Sequence, residues 1–344
     1  MRLLIRVDAS LEIGYGHIMR CLSIAEYCRN RSIECAFIHK KSKASKTVSV
    51  HDLGANFNYY IINEEEDIKT FYSTIEHNLL LLDINNKSLF TDKLSYKKYI
   101  AFLKKHQFIV VSFEEFEKAE LSSDLAIIPY VGASKLFRKG EISKKMLLGH
   151  EYFVFRNVFL ESPKVWIKEN AENILVCMGG SDPDLLTEKY LSALVKVKSY
   201  LNISIVLARI SDKRRSSILK ILSRFTGDYT IFVGNEDIAK IISTCDIGII
   251  NSGLIKYETA LLGLPCISVS NNFQHEKTMS FFCNEVDIVH MGISSSVSEE
   301  FFLKTFKNIK NDTSARKRIN TNCLKLFDGN GLSKIHSSIL KILN

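Results

Sequence analysis

Ten short apolar runs, several of them separated by amphipathic helical patterns, constrain what this chain can fold into. A strand in a parallel sheet is buried on both faces, so it is apolar along its whole length. Such runs, when they alternate with helices, are typical of βαβ units. The sequence therefore predicts the α/β class with parallel sheets. The runs are residues 3–7, 35–38, 79–84, 108–113, 125–128, 174–178, 203–208, 229–233, 247–250 and 266–270.

The length of the chain and one polar segment predict two domains. With 344 residues, the chain exceeds the usual size of a single hydrophobic core. The segment "ESPKVWIKENAEN" (161–173) is polar, contains one of only four prolines and precedes a new strand. We therefore predict domains at 1–163 and 164–344. Each half opens with a strand, a glycine-containing turn and a helix, so we expect a cleft between two sheets, lined by the loops at the carboxyl ends of their strands.

Charge and cysteine content narrow the functional classes. A formal net charge of +8 favours anionic partners without selecting among nucleotides, acidic glycans, nucleic acid and membranes. The basic stretch 304–320 lacks the interleaved aromatic residues that stack on bases, which argues against nucleic-acid binding. The eight cysteines form no C-x-x-C pair, and several lie inside apolar runs, so we expect buried reduced thiols.

The N-terminal residues and the hydropathy pattern predict a cytoplasmic location. The start "MRLLIRVD" is too short and too quickly charged for a signal peptide. No apolar run approaches the roughly 18 residues of a membrane-spanning helix, so stable membrane insertion is not expected.

The first candidate site is the stretch "DASLEIGYGHIMRC". A strand ends at Asp8, a loop carries Gly14 and Gly16, and a helix begins near His17. Glycines ahead of a helix let backbone N–H groups approach an anion. The stretch does not complete a dinucleotide fingerprint, because Met19 stands where the third glycine belongs. A histidine at the lip of this loop, close to Asp8, has the chemistry of a general base, although an ordinary residue of the first helical turn is the alternative.

The second candidate site is "ILVCMGGSDPDLLT" (174–187). A buried strand runs into Gly179 and Gly180, and we expect Ser181 or Asp182 as the N-cap and Pro183 as the first helical residue. This arrangement presents backbone donors to an anion. The D-x-D pattern that starts at Asp182 also resembles a metal motif. A cap followed by an acidic first turn explains both carboxylates, so we expect no metal.

The third candidate site is "CDIGIINSGLIKYETALLGLP", followed by "NNFQHE". A short strand leads into Ser252 and Gly253, and Glu258 lies near the start of the next helix. A carboxylate beside a glycine-containing helix start can bind vicinal hydroxyls, such as those of a ribose. A solvated helix residue is the alternative for Glu258.

Five blocks keep their order along most of the chain: "RVDASLEIGYGHIMRCLSIA", "LLGHEYFVFRNVF" (147–159), "GGSDPDLLT", "CDIGIINSGLIKYETALLGLP" and "FDGNGLSKI" (327–335). In that order they resemble the PseG family, the UDP-2,4-diacetamido-2,4,6-trideoxy-β-L-altropyranose hydrolases of pseudaminic acid synthesis. The spore-coat SpsG proteins are similar. Five ordered blocks are more specific than any single motif.

The resemblance implies a GT-B fold, in which two Rossmann-like domains with parallel sheets face a central cleft and UDP is held mainly by the C-terminal domain. It implies that His17 is the base that activates water, with Asp8 in the same block as the second catalytic residue. It also implies that Glu258 contacts the uridine ribose. The other residues expected to bind UDP or the sugar are Gly14, Gly16, Arg20, Gly179, Gly180, Ser181, Ser252, Gly253, Asn272 and Gln274.

Two segments depart from the family pattern. "VVSFEE" (110–115) stands where a pair of aspartates is expected, and "VLARIS" (206–211) lacks the glycine usual after that strand. The residues expected to bind the nucleotide therefore match the family pattern better than those expected to bind the sugar.

The resemblance implies hydrolysis of a UDP-linked 2,4-diacetamido-2,4,6-trideoxyhexose to UDP and free sugar, without a cofactor or metal. Its setting would be the synthesis of nonulosonic acids such as pseudaminic acid for a bacterial surface glycan, for example on flagella. The alternatives are a GT-B glycosyltransferase that uses a UDP-sugar donor and a nucleotide-sugar-binding protein without chemistry. A transferase needs an acceptor surface, for which "KKSKASK" (40–46) is the best candidate. We expect a monomer whose partner is the small-molecule UDP-sugar.

Overall fold

The chain forms two compact units, each of which contains one parallel sheet. Unit 1 is Met1–Arg156 together with Gly329–Asn344, and unit 2 is Asn157–Asp328. The computed structural model describes residues 2–10, 15–41, 47–74, 79–84, 93–113, 122–138, 142–180, 182–208, 210–234 and 237–343.

Seven strands and two helices make up the N-terminal part of unit 1 in the described residues. They are β1 (Arg2–Val7), α1 (Gly16–Arg29), β2 (Glu34–Lys40), β3 (Asn58–Ile62), β4 (Leu79–Asp83), α2 (Lys93–Lys105), β5 (Ile109–Phe113), β6 (Leu125–Ile128) and β7 (Met146–Leu148). Short 3-10 helices lie at His51–Leu53, Glu65–Thr74, Ala133–Leu136 and His150–Tyr152.

Unit 2 and the returning C-terminal segment contain the remaining helices and strands. They are α3 (Asn157–Glu161), β8 (Asn173–Cys177), α4 (Leu186–Leu194), β9 (Asn202–Leu207), α5 (Asp212–Leu222), β10 (Asp228–Val233), α6 (Ile238–Thr244), β11 (Ile247–Asn251), α7 (Ile255–Leu262), β12 (Cys266–Ser270), α8 (Phe273–Val286), β13 (Val289–Ile293), α9 (Glu299–Asn311), α10 (Thr313–Leu326) and α11 (Gly331–Leu343). A short 3-10 helix lies at Ser294–Ser296.

The two sheets repeat one strand order. The sheet of unit 1 runs β3-β2-β1-β4-β5-β6-β7, that of unit 2 runs β10-β9-β8-β11-β12-β13, and every pair is parallel. In each doubly wound order the direction of winding reverses between the first and fourth strands of the unit. Ligands bind at this switch point, outside the carboxyl ends of the strands.

The apolar runs form two-sided cores, as their composition predicts. In β1, Leu3 and Ile5 pack on the side of α1, whereas Leu4 packs on the opposite side with Tyr96 and Ile100 of α2. Because successive residues of a strand point to opposite faces, a sheet covered on both sides needs apolar residues at every position.

The ten predicted strands are confirmed, and three strands were missed: β3, β7 and β13. The prediction of reduced cysteines is also confirmed, because all eight are free thiols and only Cys283 is not fully buried. Within the described ranges, no helix combines the length and the apolar character needed to cross a membrane.

Helix α11 departs from the predicted domain ranges. The prediction assigned all of 164–344 to the second domain, but residues 329–344 pack with unit 1. The apolar side chains Leu332, Ile335 and Ile339 enter the core on the α1 side of the sheet. At the start of the helix, a Cβ on Gly331 would lie 2.1 Å from the carbonyl oxygen of Phe153, so only glycine allows this approach. The sequence block 147–159 and the block 327–335 therefore contact each other at this point.

We expect Ile339→Ala to lower the free energy of unfolding by about 2–5 kcal/mol, because it leaves a cavity in the core of unit 1. Ile339 is 7% exposed, whereas its neighbour Leu340 is 39% exposed. Leu340→Ala is the matched control and should change the free energy by less than about 0.5 kcal/mol. Urea unfolding followed by circular dichroism measures both. An equally small effect of the two substitutions would contradict the role of α11 in this core.

Candidate functional site

His17 and Asp83 meet at the switch point of unit 1. His17 is the second residue of α1, which follows β1, and Asp83 is the last residue of β4, the parallel neighbour of β1. The Nδ1 atom of His17 lies 2.6 Å from Oδ1 of Asp83. The Asp83 side chain is fully buried, and that of His17 is 20% exposed. The fold therefore joins a partly exposed imidazole to a buried carboxylate.

Arg20 fixes the charge and the orientation of Asp83. Its Nε and Nη2 atoms donate to the two carboxylate oxygens of Asp83 at 2.8 and 2.6 Å. The Cys21 thiol donates to the same carboxylate at 3.4 Å, and the Arg20 guanidinium lies 4.6 Å from the centre of the Phe113 ring. Burial raises the pKa of Asp83, but the charges of Arg20 and then His17 outweigh it and hold this pKa well below its usual range. Asp83 is therefore ionised at neutral pH.

The ionisation of Asp83 determines the tautomer of His17. A carboxylate accepts hydrogen bonds and donates none, so the proton between the two side chains belongs to Nδ1 of the imidazole. The lone pair of the neutral ring then resides on Nε2. An imidazole oriented in this way by a carboxylate is the arrangement that general bases use in hydrolytic enzymes.

Asp8 has different partners from those that sequence reasoning suggested. Its carboxylate accepts from both Nη atoms of Arg6, at 2.6 and 2.8 Å, and from the backbone N–H of Lys40 at 2.9 Å. Arg6, which is fully buried, also donates to Glu65. The pair of Arg6 and Asp8 therefore joins the ends of β1 and β2 to the 3-10 helix that follows β3. In the described residues, the carboxylate hydrogen-bonded to His17 is that of Asp83.

Sequence reasoning missed Asp83, although a signal was present. The run "LLLLDI" ends a fully apolar strand with one acidic residue. A charged residue at the carboxyl end of a central parallel strand lies at the switch point, where ligands bind, even when its side chain is buried. Among the other residues predicted near this loop, Gly16 is the first residue of α1 and Arg20 contacts Asp83, whereas Gly14 lies outside the described residues.

Gly179 and Asn251 define the switch point of unit 2. Gly179 follows β8 with φ at +82°, and a Cβ there would lie 2.9 Å from Nδ2 of Asn251. Asn251 ends β11, donates from Nδ2 to the carbonyl of Met178 at 2.7 Å and accepts at Oδ1 from the N–H of Gly253 at 3.1 Å. One amide side chain therefore joins the two loops that leave the neighbouring strands.

The turn after β11 has the properties of an anion site. The Ser252 side chain is buried, and its Oγ has no hydrogen-bond partner in the described part of the chain. Gly253 follows, and α7 begins at Ile255. The N–H groups of Lys256 and Tyr257 already donate to the carbonyls of Gly253 and Leu254, so the donors left for a ligand are those that precede them at the positive end of the helix. An anion at this position would accept hydrogen bonds from the Ser252 hydroxyl and from backbone N–H groups at the start of the helix.

Glu258 lies in the first turn of α7. It is the fourth residue of the helix and is partly buried. Burial raises the pKa of the Cys177 thiol at the end of β8 to about 12, and the negative charges of Glu258 and Asp182 contribute to this rise. Glu258 therefore lies within electrostatic range of the end of β8.

The loop that follows Gly180 corrects two details of the prediction. Helix α4 begins at Leu186, so Pro183 lies in a turn before the helix and is not its first residue. Asp182 caps from a distance, because its carboxylate accepts from the N–H groups of Leu186 and Thr187 at 2.8 and 3.1 Å. Asp182 also pairs with Arg214. The N-cap residue is Leu185 and Asp184 precedes the helix, so the predicted N-cap at Ser181 or Asp182 with an acidic first turn is wrong, although the Asp182 carboxylate does bind the N–H groups at the helix start.

Of the remaining predicted residues, Asn272 and Gln274 follow β12, whereas Gly180 and Ser181 follow β8. Asn272 is the N-cap of α8 and accepts from the N–H of His275 at 3.0 Å. Its neighbour Asn271 donates to Asp184 at 3.2 Å, which joins this loop to the one after β8. A Cβ on Gly180 would meet no atom within 4 Å. Ser181 and the side chain of Gln274 lie outside the described residues.

Known proteins resemble this chain in sequence and in fold. The family model of lipid-A-disaccharide synthetase matches residues 123–282, less than half of the chain. The spore coat polysaccharide biosynthesis protein SpsG of Bacillus subtilis is 22% identical over 339 residues, 95% of this chain and 94% of that protein. The UDP-2,4-diacetamido-2,4,6-trideoxy-β-L-altropyranose hydrolase of Campylobacter jejuni is 24% identical over 263 residues, 76% of this chain and 89% of that protein.

The fold comparison agrees with the strand orders. The crystal structure of Acinetobacter baumannii MurG matches with a TM-score of 0.74 at 12% identity, covering 99% of both chains. The expected GT-B fold of two Rossmann-like units is thus confirmed, and the chain is similar in sequence to SpsG and to the Campylobacter hydrolase.

Proposed function

We propose that this chain hydrolyses a UDP-linked 2,4-diacetamido-2,4,6-trideoxyhexose to UDP and free sugar. The observation that carries the proposal is the contact between His17 and Asp83, which gives unit 1 an oriented base. The similarity to a hydrolase named for such a substrate supports the sugar class, and the similarity to SpsG supports a role in polysaccharide biosynthesis. The product would serve the synthesis of a nonulosonic acid, such as pseudaminic acid, for a bacterial surface glycan.

In the proposed reaction, Nε2 of His17 removes a proton from water as the water oxygen bonds to the anomeric carbon. The bond between that carbon and the diphosphate oxygen breaks, and UDP leaves with the bonding electrons. Asp83 stabilises the imidazolium that forms, and Arg20 keeps Asp83 ionised and in place. General-base assistance of this kind contributes roughly 10²–10⁴-fold to the rate.

Unit 2 would hold the UDP. The diphosphate would lie at the turn formed by Ser252 and Gly253, close to Gly179 and Gly180, where the start of α7 stabilises the charge that develops on the leaving group. Glu258 would bind the ribose hydroxyls. Binding of the sugar is assigned to Asn272 and Gln274.

A glycosyltransferase is the second candidate, supported by the match to the lipid-A-disaccharide synthetase model and by the likeness to MurG in fold. In that reaction an acceptor hydroxyl replaces water. The discriminating measurement is release of UDP and free sugar from UDP-2,4-diacetamido-2,4,6-trideoxy-β-L-altropyranose without an acceptor and with excess chelator. A hydrolase releases both products in equal amounts at its full turnover rate. Failure to release them while UDP still binds would favour the transferase or a different sugar.

We expect His17→Asn to lower the turnover rate in this assay by about 10²–10⁴-fold, because the amide cannot accept the proton from water. Affinity for UDP, measured by isothermal titration calorimetry, should stay within about twofold of wild type, since the residues proposed to bind UDP belong to unit 2. A turnover rate near that of wild type would rule out His17 as the base.

We expect Asp83→Asn to lower the turnover rate by about 10²-fold or more, because the amide can donate to Nδ1 and favour the wrong tautomer of His17. Asp124→Asn is the matched control. Asp124 is in the same unit, but it precedes β6 and accepts from the N–H of Val110, far from the carboxyl ends of the strands. Circular dichroism confirms that both variants are folded. Equal turnover rates of the two variants would contradict the role of Asp83.

A further inference from the structure

Lys256 is a buried lysine at the start of α7, and none of the sequence blocks assigns it a role. It is the second residue of the helix and is 3% exposed. Its ammonium donates to the carbonyl of Ser252 at 3.0 Å. The same ammonium lies 5.1 Å from the ring centre of Tyr257 and 5.7 Å from that of Phe282.

Two physical effects disfavour a lysine at this position. Burial of an ammonium removes its hydration, which must be replaced by hydrogen bonds and other favourable contacts. A cation in the first turn of a helix also lies at the positive end of the helix dipole. An apolar residue would avoid both effects. Residues that break local rules in this way are concentrated at functional sites.

Lys256 and Asn251 together hold one peptide group of the turn in place. The peptide between Ser252 and Gly253 has its carbonyl bonded to the Lys256 ammonium and its N–H bonded to Oδ1 of Asn251, at 3.0 and 3.1 Å. Asn251 is itself held by its bond to Met178. Because both ends of this peptide have partners, its plane cannot rotate without breaking a hydrogen bond.

The peptide held in this way carries the side chain of Ser252, whose buried hydroxyl indicates a ligand site. Ser252 is 3% exposed, and in the described residues its Oγ has neither a donor nor an acceptor. A buried hydroxyl without a partner is unfavourable in the unliganded protein. The Ser252 hydroxyl lies three residues before the first residue of α7, so an anion at this helix start could supply the partner that the hydroxyl lacks.

We propose that Lys256 is a positioning residue of this anion site, and that the anion is the diphosphate of a nucleoside diphosphate. Lys256 holds the Ser252 carbonyl on the protein side of the turn, so that the Ser252 hydroxyl and the N–H groups at the start of α7 face the phosphates. Its charge also offsets part of the charge of the bound diphosphate. The proposal rests on the proposed function, in which unit 2 binds UDP.

The test compares binding of UDP and of uridine to Lys256→Met, with UDP followed by isothermal titration calorimetry and uridine by ligand-observed NMR. We expect the affinity for UDP to fall by about 10- to 100-fold, because the peptide between Ser252 and Gly253 is no longer held in place and a positive charge near the diphosphate is removed. The affinity for uridine, which has no phosphate, should be unchanged.

Lys189→Met is the matched control. Lys189 also belongs to unit 2 and donates its ammonium to a backbone carbonyl, that of Ser294, but it lies on α4. Its replacement should leave the affinities for both ligands unchanged. If Lys256→Met does not fold, Lys256→Gln replaces it in the same measurements, because glutamine keeps an N–H donor but carries no charge. We expect it to weaken UDP binding less than Lys256→Met does.

The outcomes separate this proposal from the proposed function. If the wild-type protein does not bind UDP, the proposed function fails. If the wild type binds UDP and the Lys256 variants bind it equally well, only the role of Lys256 is overturned. A parallel loss of UDP and uridine binding would show a general structural role and would also overturn it.

Discussion

The parallel pairing of β1 with β4, and of β8 with β11, is the constraint on which both candidate sites depend. Because the paired strands end at the same edge of their sheet while the winding reverses between them, the loops that follow diverge and leave polar groups between them. In unit 1 this geometry brings His17 to Asp83. In unit 2 it brings Asn251 to the carbonyl of Met178. One topological rule thus places an imidazole against a carboxylate in one unit and a buried serine beside a helix start in the other.

Each site is organised by a polar side chain that has no direct part in the proposed chemistry. Arg20 holds Asp83 by two hydrogen bonds and keeps its pKa low, and Asp83 in turn orients His17. Asn251 holds the two loops of unit 2 together. Buried polar networks of this kind fix a unique geometry only when their members are satisfied. The position of the His17 imidazole is therefore determined by Asp83 and, through Asp83, by Arg20.

Much of the fold was predictable, because central parallel strands must be apolar and the chain marks them with ten apolar runs. The missed strands β3, β7 and β13 are all at the edge of a sheet. His290 and Gly292 interrupt β13, and β7 has only three residues. In β3 the run of residues 59–62 was overlooked.

The site was less predictable, because contacts between distant positions depend on strand order. The sequence identified His17 and the turn at Ser252, which local glycine patterns mark. It did not identify Asp83 as the partner of His17, since the two residues become neighbours only when β1 pairs with β4. Helix α11 was misassigned for a related reason: its apolar stripe does not specify which sheet it covers.

The return of α11 to unit 1 has a consequence for biosynthesis. Unit 2 is one uninterrupted segment, whereas unit 1 combines residues from both ends of the chain. A ribosome that makes this chain synthesises all of unit 2 before α11, whose apolar residues share a core with Leu3 and Ile5. The first unit to begin synthesis is thus the last to complete its core, and its α1 side is covered only in part while the second unit is translated.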